Sequence, residues 1–274
     1  MTLPAFALAA IAALIHALWN LVIVQSRDRT ATTVVVIVFG VLVALPIALL
    51  RWQVEPQAWP YIGLSSLLEL IYFALLVAAY ERADMSLVYP IARGSAPVIV
   101  LALSVALIAA PTTLGQVAGV GLVAIGVFVV RGLRGGASWR HVGLALAVGL
   151  TIAAYVVVDK EGVQYADPIT YGTLILGIPG VVAIAWVLAR GGVGRLSDAF
   201  NWRSAMGGVF SMAAYTLVLI ALTTAPAASV AAVRESSVVI AAFLGAVVLK
   251  ERGGWERVVG SIIVLIGVVL VVLG

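Results

Sequence analysis

Val88-Tyr89-Pro90-Ile91-Ala92-Arg93-Gly94 in the first half of the chain and Val230-Ala231-Ala232-Val233-Arg234-Glu235 in the second each carry one arginine inside an otherwise apolar helical stretch. A cation at membrane depth costs roughly 2.5–3.5 kcal/mol on insertion scales, so it is rare unless it faces a partner or a wet cavity. One such residue at a matching place in each half points to an internal site.

The surrounding composition identifies the medium. Hydrophobic residues make up 64% of the 274 and charged residues only 10%, with a mean hydropathy of +1.19. A soluble domain carries about a quarter charged residues. The expectation is an all-α integral membrane protein, with the lipid bilayer as its first partner. The net charge of +4 does not indicate nucleic acid, because the basic residues are scattered between apolar spans and form no stripe. With no cysteine in the chain, disulfides, thiolate metal sites and cysteine nucleophiles are excluded. The first apolar stretch lacks a basic n-region and a cleavage site, so it reads as a membrane helix and not as a signal peptide.

About 20 mostly apolar residues cross the hydrocarbon as a helix. Ten segments qualify: 4–24, 31–50, 58–80, 86–109, 113–131, 140–158, 168–189, 202–223, 227–249 and 255–273. Most of the charge falls in short connectors such as Arg27-Asp28-Arg29, Glu81-Arg82-Ala83-Asp84 and Lys250-Glu251-Arg252, and a glycine- and arginine-rich stretch over 131–141 falls near the middle. A shift of 141 places Arg93 on Arg234, Gly119 on Gly260 and Gly126 on Gly267. A shift of 143 places Trp59 on Trp202, Tyr72 on Tyr215 and Ser86 on Ser229, and one of 136 places Trp19 on Tyr155. Small loop insertions account for the different offsets, and the reading is a five-plus-five repeat with units 1–132 and 138–274. An odd number of crossings starts the second copy on the opposite side of the membrane, so the repeat is inverted. Connectors after the odd-numbered spans hold twelve of the arginines and lysines, whereas the opposite side holds Arg51 and Lys160. The positive-inside rule then puts both termini outside the cytoplasm, in a multi-pass protein of the inner (cytoplasmic) membrane.

Three local patterns resemble EamA-type members of the drug/metabolite transporter superfamily: His16-Ala17-Leu18-Trp19-Asn20, Tyr89-Pro90-Ile91-Ala92-Arg93-Gly94-Ser95-Ala96-Pro97, and Leu249-Lys250-Glu251-Arg252 followed by Gly260 and Gly267. The resemblance covers both halves. It implies a ten-helix inverted-repeat fold around a central cavity lined by spans 1, 3, 4, 6, 8 and 9. It also implies transport of a small molecule, in a superfamily whose members move amino acids, sugar phosphates, nucleotide sugars, cations and drugs. One departure stands out: Ala109-Ala110-Pro111-Thr112 occupies the place in the first half where the second has the charged Leu249-Lys250-Glu251-Arg252.

The polar side chains at depth fall on the same six spans. His16 and Asn20 share a helix face, with Trp19 beside it. The third span offers Ser65, Glu69 and Tyr72, the fourth Tyr89 and Arg93, the sixth Thr151, Tyr155 and Asp159, the eighth Ser211 and Tyr215, and the ninth Arg234, Glu235 and Ser237. Spans 2, 5, 7 and 10 contribute almost nothing comparable. Substrate contacts are expected from Arg93, Arg234, Tyr89, Tyr155, Trp19, Asn20, Tyr72 and Tyr215. Coupling or gating is expected from Glu69, Glu235, His16 and Asp159, with protons as the candidate coupling ion. The competing structural readings are an Arg93–Glu69 ion pair locking spans 3 and 4, a histidine hydrogen-bonded within the bundle, and Asp159 as a solvated helix end beside Lys160. Pro90 and Pro97 are expected to kink the fourth span, and Gly119, Gly126, Gly260 and Gly267 to let spans 5 and 10 approach their neighbours closely.

No Walker loop, dinucleotide-binding glycine run, H-E-x-x-H or nucleophile elbow is present, so neither an enzyme nor an ATP-driven pump is expected, and no cofactor. The leading reading is a secondary transporter, an exporter of an amino acid or organic anion, acting as a monomer or a homodimer. The alternatives are a flippase component for a lipid-linked intermediate, a membrane scaffold and multidrug efflux.

Overall fold

In hydrocarbon every backbone N–H and C=O must find its partner within the segment, which restricts a chain of this composition to helices. A computed structural model describes residues 1–82, 85–131, 139–247 and 255–274. Their helices are α1 (Leu3–Val24), α2 (Arg29–Leu50), α3 (Ala58–Arg82), α4 (Met85–Ile108), α5 (Leu114–Arg131), α6 (Trp139–Gly162), α7 (Pro168–Ala199), α8 (Trp202–Thr224), α9 (Ala227–Arg234), α10 (Ser236–Val247) and α11 (Trp255–Leu273). Seven of these, α1 to α4 and α6 to α8, are long and apolar enough to cross a membrane, and α5 and α11 are shorter apolar helices. The charged Lys250-Glu251-Arg252 motif and the midpoint stretch 132–138 lie outside the described residues.

Short polar signals set where the helices start. The Asp28 carboxylate accepts from the Ala31 N–H and caps α2. Asp167 accepts from Ile169 and Thr170 and caps α7, with Pro168 in the first turn. Asn201 and Ser204 exchange hydrogen bonds as a capping box for α8. Near its end α7 bends at Gly192, whose φ of 69° is a conformation that costs glycine little. The last turns of α7, carrying Arg195, are thereby turned away from the crossing segment.

One expectation about helix continuity is corrected. The ninth span, read as one helix over 227–249, is interrupted between α9 and α10 at Glu235. There the Glu235 N–H is drawn to the carbonyls of both Ala231 and Ala232, and Val238 donates back to Glu235, a local tightening of the ladder. The fourth span is assigned as one helix, Met85–Ile108, through Pro90 and Pro97.

The packing pairs helices of one half with helices of the other. Helices α5 and α11 lie against each other, as do α1 and α8, α3 and α6, and α2 and α7. The α5–α11 seam is antiparallel: a Cβ on Gly119 would stand 2.7 Å from the Gly267 oxygen, and one on Gly126 2.8 Å from the Gly260 oxygen. Backbones meet there because no side chain intervenes, so these glycines do pack as the sequence suggested. The α2–α7 pair is antiparallel too, clasped at both ends by the aspartates that cap the two helices. Asp28, ahead of α2, pairs with Arg195 at 2.8 Å, and Asp167, ahead of α7, pairs with Arg51 at 3.0 Å. Burial raises the Asp28 carboxyl, but the Ala31 and Thr30 N–H groups and the Arg195 guanidinium outweigh it and hold it below the ordinary carboxylate range. At the Asp167 end the chain also pairs Val54 with Ala166 and stacks Tyr61 on Tyr165, with ring centres 5.9 Å apart.

Candidate functional site

Between the two self-paired layers, α2–α7 and α5–α11, the remaining helices enclose a cavity of about 140 Å³. Trp19, near the end of α1, and Thr33, near the start of α2, both border it, so it reaches toward the end of the bundle where Asp28 meets Arg195. The structure brings His16, Trp19, Glu69, Tyr72, Arg93, Tyr155, Tyr215 and Arg234 together on its wall. Aromatic contacts fix several of them: His16 meets Trp19 edge-on at 5.0 Å, and Tyr72 meets Tyr155 edge-on at 6.1 Å.

The two arginines are not equivalent. Arg93 is buried, with its guanidinium 3.5 Å from the Glu235 carboxylate and 3.0 Å from His16 Nε2. The expected Arg93–Glu69 pair is therefore corrected: the carboxylate that meets Arg93 comes from the break between α9 and α10, not from α3. An arginine can only donate, so Nε2 of His16 accepts, and the imidazole is neutral with its proton on Nδ1. Arg93 thus occupies the nitrogen on which His16 would take up a proton. Arg234, half-buried on the cavity wall, has no ion pair among the described residues. Glu69 borders the same cavity, 4% exposed, and also lacks an ion pair among them. The buried Trp19 Nε1 has no hydrogen-bond acceptor there either.

Other candidates fall elsewhere. Asn20 turns back to donate to the His16 carbonyl on its own helix and is not on the cavity wall. The Tyr89 side chain lies outside the described residues. Asp159 is not a solvated terminus: it is 1% exposed, and its carboxylate accepts from Ser65 at 2.6 Å, Tyr171 at 3.1 Å and Tyr215 at 2.6 Å. Lys160, its supposed partner, donates instead to the Leu222 carbonyl near the end of α8. The second and seventh spans contribute more than expected, with Thr33, Ile37 and Leu176 on the cavity wall and Tyr171 on Asp159. Tyr171 carried a readable signal. The chain reverses over 163–167, so the first turn of α7 stands beside the end of α6 and the Tyr171 hydroxyl reaches Asp159 before α7 runs on along α2 and α3.

The arrangement offers an unpaired guanidinium and an unsatisfied indole N–H, both donors, a carboxylate, and aromatic walls. It suits a small polar ligand with an anionic group. The sequence matches the EamA-like transporter family twice, over residues 3–132 and 139–273. A protein of known crystal structure shares the fold with a TM-score of 0.80, covering 98% of this chain and 96% of its own, at 16% sequence identity. No curated protein matches the chain in sequence.

Proposed function

The chain belongs to the EamA-like transporter family of membrane transporters, and from that footing we propose that it is a secondary transporter exporting a small metabolite that carries a carboxylate, an amino acid or an organic anion. Ten crossings in two inverted sets of five enclose the cavity, with both termini outside the cytoplasm and alternating access between the halves. The arginine- and lysine-rich connectors support this orientation. In it the cavity reaches toward the cytoplasm, and the Asp167–Arg51 end is the outer one.

One observation carries the substrate class: Arg234 stands on the cavity wall with no ion pair among the described residues, whereas Arg93 is already engaged. An unpaired guanidinium in a site of low dielectric recognises a carboxylate by charge-assisted hydrogen bonds, two of them in parallel when the geometry permits. The Trp19 N–H supplies a further donor, and Glu69 is placed to meet an ammonium or to exchange a proton. Size separates this reading from multidrug efflux. The cavity holds about 140 Å³, well under the roughly 300–1,000 Å³ of drug-sized sites.

A thermal-shift screen of the purified protein against amino acids, organic acids, phosphorylated metabolites and quaternary amines tests it. A carboxylate is expected to raise the Tm of the wild type and leave that of Arg234→Ala unchanged. A quaternary amine that stabilises both proteins equally contradicts it.

A further inference from the structure

Among the described residues, Asp159 sits among hydroxyls and makes no ion pair. Its Oδ1 receives Ser65 from α3 and Tyr171 from α7, while its Oδ2 receives Tyr215 from α8 alone. Of these three donors, only Tyr215 also borders the cavity. A phenol has a single hydrogen to donate and can also accept. With Asp159 ionised, that hydrogen is committed to Oδ2, and the cavity meets only lone pairs on the Tyr215 oxygen.

We propose that Asp159 Oδ2 is a proton-binding site whose occupancy reverses the Tyr215 hydrogen bond and so turns the tyrosine into a donor toward the cavity. A hydronium ion in the cavity gives a proton to the Tyr215 oxygen as the phenol's own hydrogen passes to Oδ2; water is left behind, the carboxylate becomes a carboxyl, and its new O–H donates to the Tyr215 oxygen. The phenol keeps one hydrogen, which now points to the cavity and can donate a hydrogen bond to an anion there. Only O–H bonds form and break. Oδ1 keeps both donors in either state, so the junction of α3, α6, α7 and α8 persists while one of its bonds changes direction.

Proton uptake and anion binding then favour each other by the same factor in each direction. This linkage rests on the carboxylate reading of the cavity; the proton site at Asp159 does not. The charged groups around Asp159 are Glu69 on α3 and Arg234 on α9, which act on it through space. Lys160 on α6 itself is held by the Leu222 carbonyl, and Arg93 on α4, which packs on α6, is engaged by His16 and Glu235. Tyr155, one turn before Asp159 on α6, borders the cavity as well.

Infrared difference spectroscopy of the full chain in lipid nanodiscs, between mildly alkaline and mildly acidic solution, reads the site without any ligand. The wild type is expected to gain a carboxyl C=O band on acidification. Asp159→Asn loses that band, Glu69→Gln keeps it, and Tyr215→Phe, which removes the acceptor, displaces it toward the frequency of a carboxyl without a hydrogen-bond partner. Difference spectra of wild type and Asp159→Asn that superimpose overturn the proposal. Should Asp159→Asn fail to fold, Tyr215→Phe decides, and a band it leaves unmoved is the overturning result. An Asp159 band alongside a thermal screen in which no carboxylate binds retires the cavity reading and leaves the proton site standing.

Discussion

At the scale of single residues, the two arginines at membrane depth divide the work that the sequence assigned to both. Arg93 is a joint, connecting α4 to α1 through His16 and to the α9–α10 break through Glu235. Arg234 faces the cavity. Removing one member of a buried pair strands the other charge, at a cost of about 3 kcal/mol or more. Arg93→Ala is therefore expected to lower the Tm of the purified protein markedly, by stranding Glu235, and the double variant Arg93→Ala with Glu235→Ala to recover part of the loss. Arg234→Ala is expected to keep a Tm close to that of the wild type, since no ion pair is broken. If the two single variants are equally destabilised, the division is wrong.

Among the helices, the main support comes from two antiparallel pairs, α5–α11 and α2–α7, one joined by glycines and the other by Asp–Arg clasps. The glycine seam was legible in the sequence because Gly119 and Gly126 align with Gly260 and Gly267, and small residues seven apart lie close to one helix face. A side chain at Gly119 would meet the backbone of the partner helix, which cannot turn aside as a flexible side chain can. Gly119→Leu is expected to destabilise by about 1–3 kcal/mol at least, seen as a lower Tm and loss of the monodisperse peak in size-exclusion chromatography, whereas Gly121→Leu, where a Cβ meets nothing within 4 Å, is expected to be tolerated. Equal behaviour of the two variants contradicts the seam. The clasps were less legible. Asp28 and Asp167 announce themselves as caps, but a cap says nothing about which distant arginine will reach it. The same limit explains the missed partners of Arg93 and Asp159. Periodicity fixes which residues share a face of one helix, and Glu69, Tyr72, Arg93 and Tyr155 stand together on the cavity wall. Which inward residues touch depends on helix rotation and rise, and these are set by the packing of the whole bundle. The break at Glu235 left no mark of its own, because neither a proline nor a glycine lies there.

For the whole molecule, the proposed transport requires one cavity shared by two halves and reached from each side of the membrane in turn. In the proposed orientation the outer end is the one tied by the Asp167–Arg51 clasp, the Tyr61–Tyr165 stack and the Asp159 junction, and access from the arginine-rich side is then the favoured one. Transport requires a second arrangement in which those ties part and the Asp28–Arg195 end closes. The chain has no cysteine, so a single cysteine introduced on the cavity wall reports without interference. The decisive measurement is the labelling of Ser211→Cys by a membrane-impermeant thiol reagent in right-side-out and inside-out vesicles. Labelling is expected from both sides, faster from the cytoplasmic side at rest, with a substrate found in the thermal screen altering both rates. Labelling confined to one side, with or without that substrate, would contradict alternating access through this cavity.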